Sequence, residues 1–256
     1  MATDSLQQYQ DVVFEQGRSP WQDAWYRLKQ NKLAIISLNF LAALVVIAVL
    51  TPWLAPYGYE KQNLALGASG PSAEHWLGTD IHGRDLMTRL MYGGRISLMV
   101  GFAATAVSLV IGVLWGAIAG YVGGLTDTVL MRIVDILYAL PFMIFIILLM
   151  VVFGRSLLLL FLAIGLIEWL TMARIVRTQV MNTRNQEFVS AAVVTGLSHW
   201  QIISRHIIPN IIGPVIVYIT LTIPSVMLLE AFLSFLGLGI QPPQSSWGVL
   251  ISGGVE

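Results

Sequence analysis

The chain has 256 residues, of which 56% are hydrophobic and only 11% carry a charge, and its mean hydropathy is +0.75. Because a soluble domain of this size carries about 25% charged residues, this composition excludes an ordinary soluble domain and predicts a polytopic membrane protein. The formal net charge is +0, which gives no basic surface for nucleic acid, and the absence of cysteine excludes disulfides and thiolate metal sites.

Residues 1–17 are polar and include the acids Asp4, Asp11 and Glu15. We expect this stretch to be loose or to lie on a surface. It does not have the pattern of a signal peptide, because a basic region followed by an apolar core is missing.

The next stretch, GRSPWQDAWYRLKQNK, has Trp21 and Trp25 at helical spacing with basic residues beside them. It predicts a short interfacial helix that leads into the first span, residues 33–54. Only Lys61 follows that span closely, so the positive-inside rule puts the N-terminal segment, residues 1–32, in the cytoplasm. The basic residues before the span are Arg18, Arg27, Lys29 and Lys32.

Residues 55–95 form a long outer, periplasmic segment. Its end, WLGTDIHGRDLMTRLMYGGRISLMVG, starts as a Gly-rich turn and continues as an amphipathic helix. Asp80, His82 and Asp85 are possible metal ligands, but no further ligand lies nearby, so we expect no metal site. The pattern instead predicts a capped helix in which Arg84 and Arg89 lie near the two aspartates.

The second span, about residues 96–119, carries a small residue at every fourth position. Such a face lets membrane helices approach closely, so we expect it to pack within the bundle or against a partner subunit. The small residues are Ala104, Ser108, Gly112, Gly116 and Gly120.

The third span, about residues 128–153, contains Pro141 and carries Arg132 and Asp135 three positions apart. We interpret this pair as an ion pair near the cytoplasmic face, with a proton or ion relay as the alternative. The fourth span, about residues 157–173, contains Glu168. We expect Glu168 to lie near the cytoplasmic interface and to find a basic partner there, with Arg174 and Arg177 following it.

A polar loop, residues 187–210, lies between the last two long apolar stretches and must protrude from the membrane. Gly196 suits the left-handed end of one short helix, and Pro209 is expected to be unable to continue the next. The loop therefore predicts helix, turn, helix with a small-residue elbow pointing into the cytoplasm. An ordered connector without a docking role is the alternative.

The fifth span, about residues 211–236, contains Pro214 and Pro224, which interrupt its hydrogen bonding, and Glu230. A carboxylate deep in a span faces a partner or a watery cavity, so Glu230, Ser234 and Met227 are candidates for the translocation path or for a polar part of the bundle. Residues 237–256 are too interrupted for a span and predict an outer turn and gate.

The polar loop resembles the EAA loop of ABC importer permeases. The resemblance rests on Ala191-Ala192, three further residues, Gly196 and then Ile208-Pro209. Two positions depart from the family pattern: Ser190 replaces an acid, which puts a salt bridge from that position in doubt, and His206 replaces an isoleucine.

Three other stretches also resemble peptide and nickel permeases, and in particular the C-type permease subunit of bacterial oligopeptide ABC importers. They are GRSPWQDAWYRLKQNK, WLGTDIHGRDLMTRLMYGGRISLMVG and AFLSFLGLGIQPPQSSWGVLISGG, so the resemblance covers about residues 18–256.

This resemblance implies an all-α transmembrane bundle with the fold of a type I ABC importer permease. Five spans are visible in the sequence, and a sixth is expected beyond residue 256. Residues 96–256 would form the permease core, and residues 174–210 would form the cytoplasmic loop that docks an ATPase. The implied docking residues are Glu187, Ser190, Ala191, Ala192, Gly196, Ile208 and Pro209.

The resemblance also implies the partners. They are a homologous second permease subunit, a pair of cytoplasmic ATPases, a periplasmic binding protein, the peptide cargo and the lipid of the bacterial inner membrane. ATP and Mg²⁺ would bind to the ATPases. This chain has no Gly-rich phosphate loop ending in Lys-Ser or Lys-Thr, so we expect it to be non-catalytic and to bind no cofactor.

Other functions remain open at this point. An ion-gradient-driven transporter would use Glu168, Glu230 and the Arg132/Asp135 pair as its relay, although no inverted repeat is visible. A membrane scaffold without a transport role is a further alternative. The cargo of an importer could be an oligopeptide, a dipeptide, a murein peptide or a nickel chelate.

Overall fold

The computed structural model describes residues 19–154, 156–241 and 243–254. The polar stretch 1–17, for which we predicted a loose or surface-lying conformation, lies outside the described residues. Within them the chain is helical, with isolated bridges that join Thr79 to Ser69 and to Asp85. The predicted all-α class is confirmed.

The chain divides into a small N-terminal unit, Met1–Val46, and a larger unit, Ile47–Glu256. In the first unit, α1 (Pro20–Gln30) begins behind Ser19, whose hydroxyl accepts a hydrogen bond from the Gln22 amide while the Gln22 side chain accepts one from the Ser19 amide. This reciprocal cap and a proline in the first turn fix the start of the predicted interfacial helix. α2 (Lys32–Leu54) is the first span; it begins in this unit and ends in the larger one.

In the larger unit, α3 (Leu86–Val122) joins the predicted amphipathic helix and the second span into one continuous helix. The Asp85 carboxylate caps its first turn by accepting a hydrogen bond from the Thr88 amide at 2.7 Å. The helix ends at Gly123, whose φ of +71° is in the left-handed region.

The predicted third span is two helices, α4 (Gly124–Tyr138) and α5 (Phe142–Phe153), bent by 75° relative to one another. Pro141 causes the break, because it has no amide hydrogen and its ring clashes with the preceding turn of a helix. Its carbonyl instead accepts hydrogen bonds from Ile144 and Phe145, which starts α5.

The fourth span, α6 (Leu157–Arg184), continues 11 residues past the predicted end at Ala173, which is about three turns. The remaining elements are α7 (Glu187–Val194), α8 (His199–Ile202), a π-helical turn (Ile203–Ile207), α9 (Ile208–Phe235) and α10 (Trp247–Gly253). In all, four helices in the described residues are long and apolar enough to cross a membrane, or five crossings if α4 and α5 count as one. Five matches the predicted number of spans.

The centre of the larger unit is the contact between α3 and α6. A Cβ added at Gly112 would lie 2.5 Å from Met172, and one added at Gly116 would lie 2.4 Å from the Ala173 carbonyl oxygen. Backbones that approach so closely require the small face predicted from the sequence, and this face packs inside the chain.

The contacts also fix the direction of the helices. Gly112, Gly116 and Gly120 of α3 meet successively later residues of α6, up to Val180, so α3 and α6 run parallel. In contrast, Gly101 lies against Met227 and Ser97 against Glu230, so α9 runs antiparallel to α3.

Candidate functional site

The predicted helix–turn–helix loop is present. α7 ends in a turn in which the Leu197 amide donates to the Ala192 carbonyl and the Gly196 amide to Val193. Gly196 has φ +80°, as its predicted left-handed role requires. Ser198 then caps α8, and its amide donates a hydrogen bond to the side-chain oxygen of Gln201. The hydrogen bonds of both caps hold the turn in one conformation.

The small residues of this loop do not share one environment. Glu187, Ser190 and Ala191 are exposed, whereas Ala192 is only 5% exposed and packs in an apolar cluster with Tyr121, Val180 and Ile203. The elbow is therefore an outward-facing surface fixed to the helix bundle through Ala192.

Pro209 does not end the second helix, so that expectation was wrong. The chain is helical from His199 to Phe235, and Pro209 lies in the first turn of α9. The π-helical turn just before Pro209 makes this possible. The Ile208 amide donates a hydrogen bond to the Ile203 carbonyl, five residues earlier, so the backbone hydrogen-bond pattern shifts by one residue. Pro209 is exposed and Ile208 is half-buried.

Two contacts that the sequence did not suggest connect the loop to the end of α3. The Tyr121 hydroxyl and His199 Nδ1 lie 3.1 Å apart, with their rings edge to face. The Arg184 guanidinium donates to the Tyr121 carbonyl at 2.8 Å, which satisfies a backbone group at the C-terminus of α3. The position of the loop thus depends on the ends of both central helices.

Glu230 is completely buried and belongs to a network of serines. Its carboxylate accepts hydrogen bonds from Ser97 of α3 at 3.0 Å and from Ser234 at 2.6 Å. The Ser246 hydroxyl donates to Ser234 Oγ at 3.3 Å, and the Trp247 amide donates to Ser97 Oγ at 3.2 Å. The network therefore joins α3 and α9 to the start of α10.

The other two candidates from this span lie in packed regions. Ser234 is buried in the network just described, and Met227 is half-buried against Gly101 of α3. Glu230 and Ser234 are therefore shielded inside the described chain, whereas Met227 remains partly exposed.

The predicted pairing of Arg132 with Asp135 was wrong. Asp135 instead accepts a hydrogen bond from Arg174 of α6 at 2.9 Å, and that guanidinium also stacks on the Tyr138 ring at 4.2 Å. Arg177 pairs with Asp127 through two hydrogen bonds. These contacts attach α4 to α6 in antiparallel orientation.

The expectation that Glu168 pairs with a basic residue was also wrong. Both arginines that follow Glu168 bind aspartates of α4, and Glu168 makes no ion pair or hydrogen bond with any residue the structure describes. The bend at Pro141 brings α4 alongside the end of α6, so the arginines find partners on another helix.

In the outer segment, the Asp80 carboxylate binds both Arg84 and Arg89, as predicted, whereas Asp85 binds His75 at 2.9 Å. Burial alone would raise the pKa of Asp80, but hydrogen bonds from the amide and side chain of Arg84 and from the His82 amide lower it overall. The turn before α3 is thus a closed set of charge-assisted contacts, with both carboxylates engaged by protein groups.

Comparison with known proteins decides the family. Residues 112–255, more than half of the chain, match the family described as the binding-protein-dependent transport system inner membrane component. The chain belongs to this permease family. In addition, residues 19–71 of the permease match the N-terminal transmembrane domain of oligopeptide transport permease C.

Individual relatives are similar over nearly the whole of this chain and over about four-fifths of their own length. The oligopeptide transport system permease protein OppC of Haemophilus influenzae is 49% identical to this permease, over 98% of this chain and 82% of the relative. OppC of Escherichia coli is 47% identical, over 99% and 85%. The dipeptide transport system permease protein DppC of Bacillus subtilis is 46% identical, over 96% and 77%.

Proposed function

We propose that this permease forms half of a peptide translocation path in the bacterial inner membrane and transmits ATP-driven motion through residues 187–210. The observation that carries the proposal is the similarity to OppC proteins over nearly the entire chain. The geometry of the loop supports the coupling role, because the exposed Ser190 and Ala191 present small side chains to a docking protein.

The proposed assembly contains a second, homologous permease subunit, a pair of cytoplasmic ATPases and a periplasmic peptide-binding protein. ATP and Mg²⁺ bind to the ATPases, and this chain contributes neither catalysis nor a cofactor. When the ATPases close on ATP, they move the elbows, and each elbow moves α3 and α6 through Tyr121, Arg184 and the buried Ala192.

Glu230, Ser234 and Met227 are proposed as bundle residues and not as path residues. The burial of Glu230 and Ser234 and their contacts with Ser97 and Ser246 support a structural role, namely attachment of the outer C-terminal segment to α3 and α9. The side chain of Met227 packs against Gly101 of α3. The N-terminus is proposed to be cytoplasmic, as the basic residues before α2 indicate.

The test is reconstitution of the complete importer in proteoliposomes, with uptake measured for peptides of two to eight residues. We expect uptake that requires ATP, the binding protein and an intact elbow. Uptake driven by an ion gradient without ATPases would overturn the proposal in favour of a secondary transporter.

A preference for dipeptides is the second candidate, because DppC of Bacillus subtilis is nearly as similar to this chain as the OppC relatives. The same length series decides between them. Efficient uptake that stops at peptides of two residues would favour a dipeptide permease.

A further inference from the structure

A cavity of about 390 Å³ lies beside the break between α4 and α5. Its walls come from the end of α4, the start of α5 and the middle of α6. The lining is apolar and aromatic, with Tyr138, Phe142 and Phe145 from the broken helices, and Glu168 is the charged residue among the lining side chains.

Glu168 has no cation to balance it. Among the described residues it makes no hydrogen bond or ion pair, and the nearby arginines of α6, Arg174 and Arg177, are bound to Asp135 and Asp127. Tyr218 of α9 is close enough to interact electrostatically with Glu168, but a phenol supplies no positive charge. A partly buried carboxylate without a counter-charge is unfavourable unless a ligand supplies one.

The carboxylate lies in the apolar first part of α6. Glu168 lies 11 residues after Leu157, or about 17 Å along the axis of α6, and six residues, or about 9 Å, before Arg174. Arg174 and Arg177 thus lie on one side of the carboxylate, and both are paired with aspartates of α4.

The chemistry of the lining fits an organic cation. A carboxylate accepts strong hydrogen bonds from an ammonium group, and aromatic faces attract the same charge. The volume is in the range of sites that hold small ligands, about 300–1,000 Å³. Helix breaks within the membrane occur where the irregular backbone lines a cavity, and the 75° bend at this cavity is such a break.

We propose that this cavity receives the terminal α-ammonium group of a peptide in transit, with the Glu168 carboxylate accepting its hydrogen bonds. The inference rests on the proposed function, since it takes the cargo to be a peptide. Every peptide with a free amino terminus carries this group whatever its sequence, so one carboxylate serves cargo of varied composition. Phe142 and Phe145 supply aromatic rings to the lining, and Thr171 is a polar lining residue.

The first experiment compares a peptide with its N-acetylated form in the complete reconstituted importer, for the wild type and Glu168→Gln. For each permease we take the ratio of free-peptide uptake to acetylated-peptide uptake. Both permeases use the same binding protein, so the preference of the binding protein for one peptide cancels when the wild-type ratio is divided by the variant ratio. We expect Glu168→Gln to lower uptake of the free peptide relative to the acetylated peptide by about tenfold, the effect of losing one charge-assisted hydrogen bond. Glu168→Asp should restore part of the difference.

The control is Glu74→Gln, which makes the same chemical change at an exposed position of the outer segment and should leave the ratio at the wild-type value. The amount of assembled complex is measured for each variant by size-exclusion chromatography. An unchanged ratio in a well-assembled Glu168→Gln importer would overturn the proposal. Equal loss of both peptides together with loss of the second permease subunit would do so too, because the cation would then be a basic side chain of that subunit.

The second experiment does not depend on peptide delivery. The chain has no cysteine, so Thr171→Cys introduces its single thiol, in the lining of the cavity. For each variant we compare the rate of modification by a cationic reagent, 2-aminoethyl methanethiosulfonate, with the rate for neutral methyl methanethiosulfonate. We expect the ratio of these rates to be several-fold higher for Thr171→Cys than for Thr171→Cys/Glu168→Gln. Cargo present during ATP turnover should slow the modification.

An equal ratio of the two modification rates in both thiol variants would overturn the proposal of a cation site. If instead the wild type showed no ATP-driven peptide uptake, the proposed function would fail. The thiol measurement would still report on Glu168, so the two failures are distinguishable.

Discussion

Glu230 connects three segments through hydroxyl groups, and its partners in the described part of the chain include no basic residue. Ser97, Ser234 and, through Ser234, Ser246 depend on this carboxylate for their hydrogen bonds, and the whole set is buried. A buried network of this kind is stabilising only when every member is satisfied, so removal of its centre affects all the segments at once.

We predict that Glu230→Ala lowers the stability of the purified complex by about 2–4 kcal/mol, because it leaves a cavity and orphans two serine hydroxyls. Glu230→Gln keeps the size and one acceptor oxygen and should cost much less. The measurement is thermal unfolding of the complex in nanodiscs. Ser225→Ala is the matched control on α9, since the Ser225 hydroxyl is exposed and bonds only to its own helix. Equal melting temperatures for Glu230→Ala and Ser225→Ala would show that the network is dispensable.

Substitutions at Gly196 and the two alanines distinguish residues that contact a docking protein from residues that maintain the fold of the loop. No atom lies within 4 Å of a Cβ added at Gly196, so a substitution there is opposed by its φ of +80° and not by a neighbour. Ala191 is exposed, whereas Ala192 is buried. A charge at 191 therefore acts on the partner protein, and a charge at 192 acts on the fold of the loop.

We predict that Ala191→Asp weakens copurification of the ATPases and peptide-stimulated ATP hydrolysis while the thermal stability of the permease stays unchanged. Ala192→Asp should lower stability as well, since it puts a charge beside Tyr121 and Ile203. Ser190→Glu should be tolerated, because the side chain is exposed. Full ATPase retention by Ala191→Asp would mean that the elbow is only a connector.

The backbone of the turn is tested by a graded series at Gly196. Gly196→Val should cost about 1 kcal/mol or more in the turn and reduce coupling, whereas Gly196→Asn should be milder because asparagine adopts left-handed angles more readily. Coupled ATP hydrolysis in nanodiscs is the readout. If valine and asparagine lowered coupled ATP hydrolysis equally, the cause would be the added side chain at the docking surface and not the backbone angle.

Among the elements, α3 and α6 depend on a face without side chains. A Cβ at Gly116 would lie 2.4 Å from the Ala173 carbonyl oxygen and 2.9 Å from the Arg177 amide nitrogen, both of them backbone atoms. These atoms cannot rotate away as a flexible side chain would, so even a methyl group must separate the two helices.

We predict that Gly116→Ala destabilises the permease by about 2 kcal/mol through overpacking. Gly213→Ala is the matched control, because a Cβ at this helical glycine of α9 meets nothing within 4 Å. Its effect should be neutral or slightly stabilising. Thermal unfolding and the yield of assembled complex check both variants, and similar losses for the two would contradict the role of the small face.

These elements also show what the sequence could and could not predict. The small face, the capped outer turn and the left-handed glycine depend on local spacing, and each was found at its predicted position. The partners of Arg174 and Arg177 were missed because pairing depends on the bend at Pro141, whose angle local sequence does not set. The passage of helix through Pro209 was missed because a π-helical turn has no clear sequence pattern.

At the scale of the whole molecule, the parallel orientation of α3 and α6 determines how the chain crosses the membrane. Two parallel spans joined by a connecting segment require that this segment return the chain to the side where the first span began. The bent pair α4–α5 is the segment between them, so it crosses the membrane despite its 75° bend. If α2 is the first crossing, we expect the loop 187–210 to lie on the same side of the membrane as the N-terminal segment.

Cysteine accessibility tests whether the loop and the N-terminal segment lie on the same side of the membrane, in a chain that has no cysteine of its own. We predict that an impermeant thiol reagent applied to intact spheroplasts labels Ala68→Cys, in the outer segment, but neither Lys29→Cys nor Thr195→Cys. All three positions are exposed in the structure, so permeabilised membranes should label each variant and serve as the control. Labelling of Thr195→Cys in intact spheroplasts would show that α4–α5 is a re-entrant loop, and residues 187–210 would then be unable to reach a cytoplasmic ATPase.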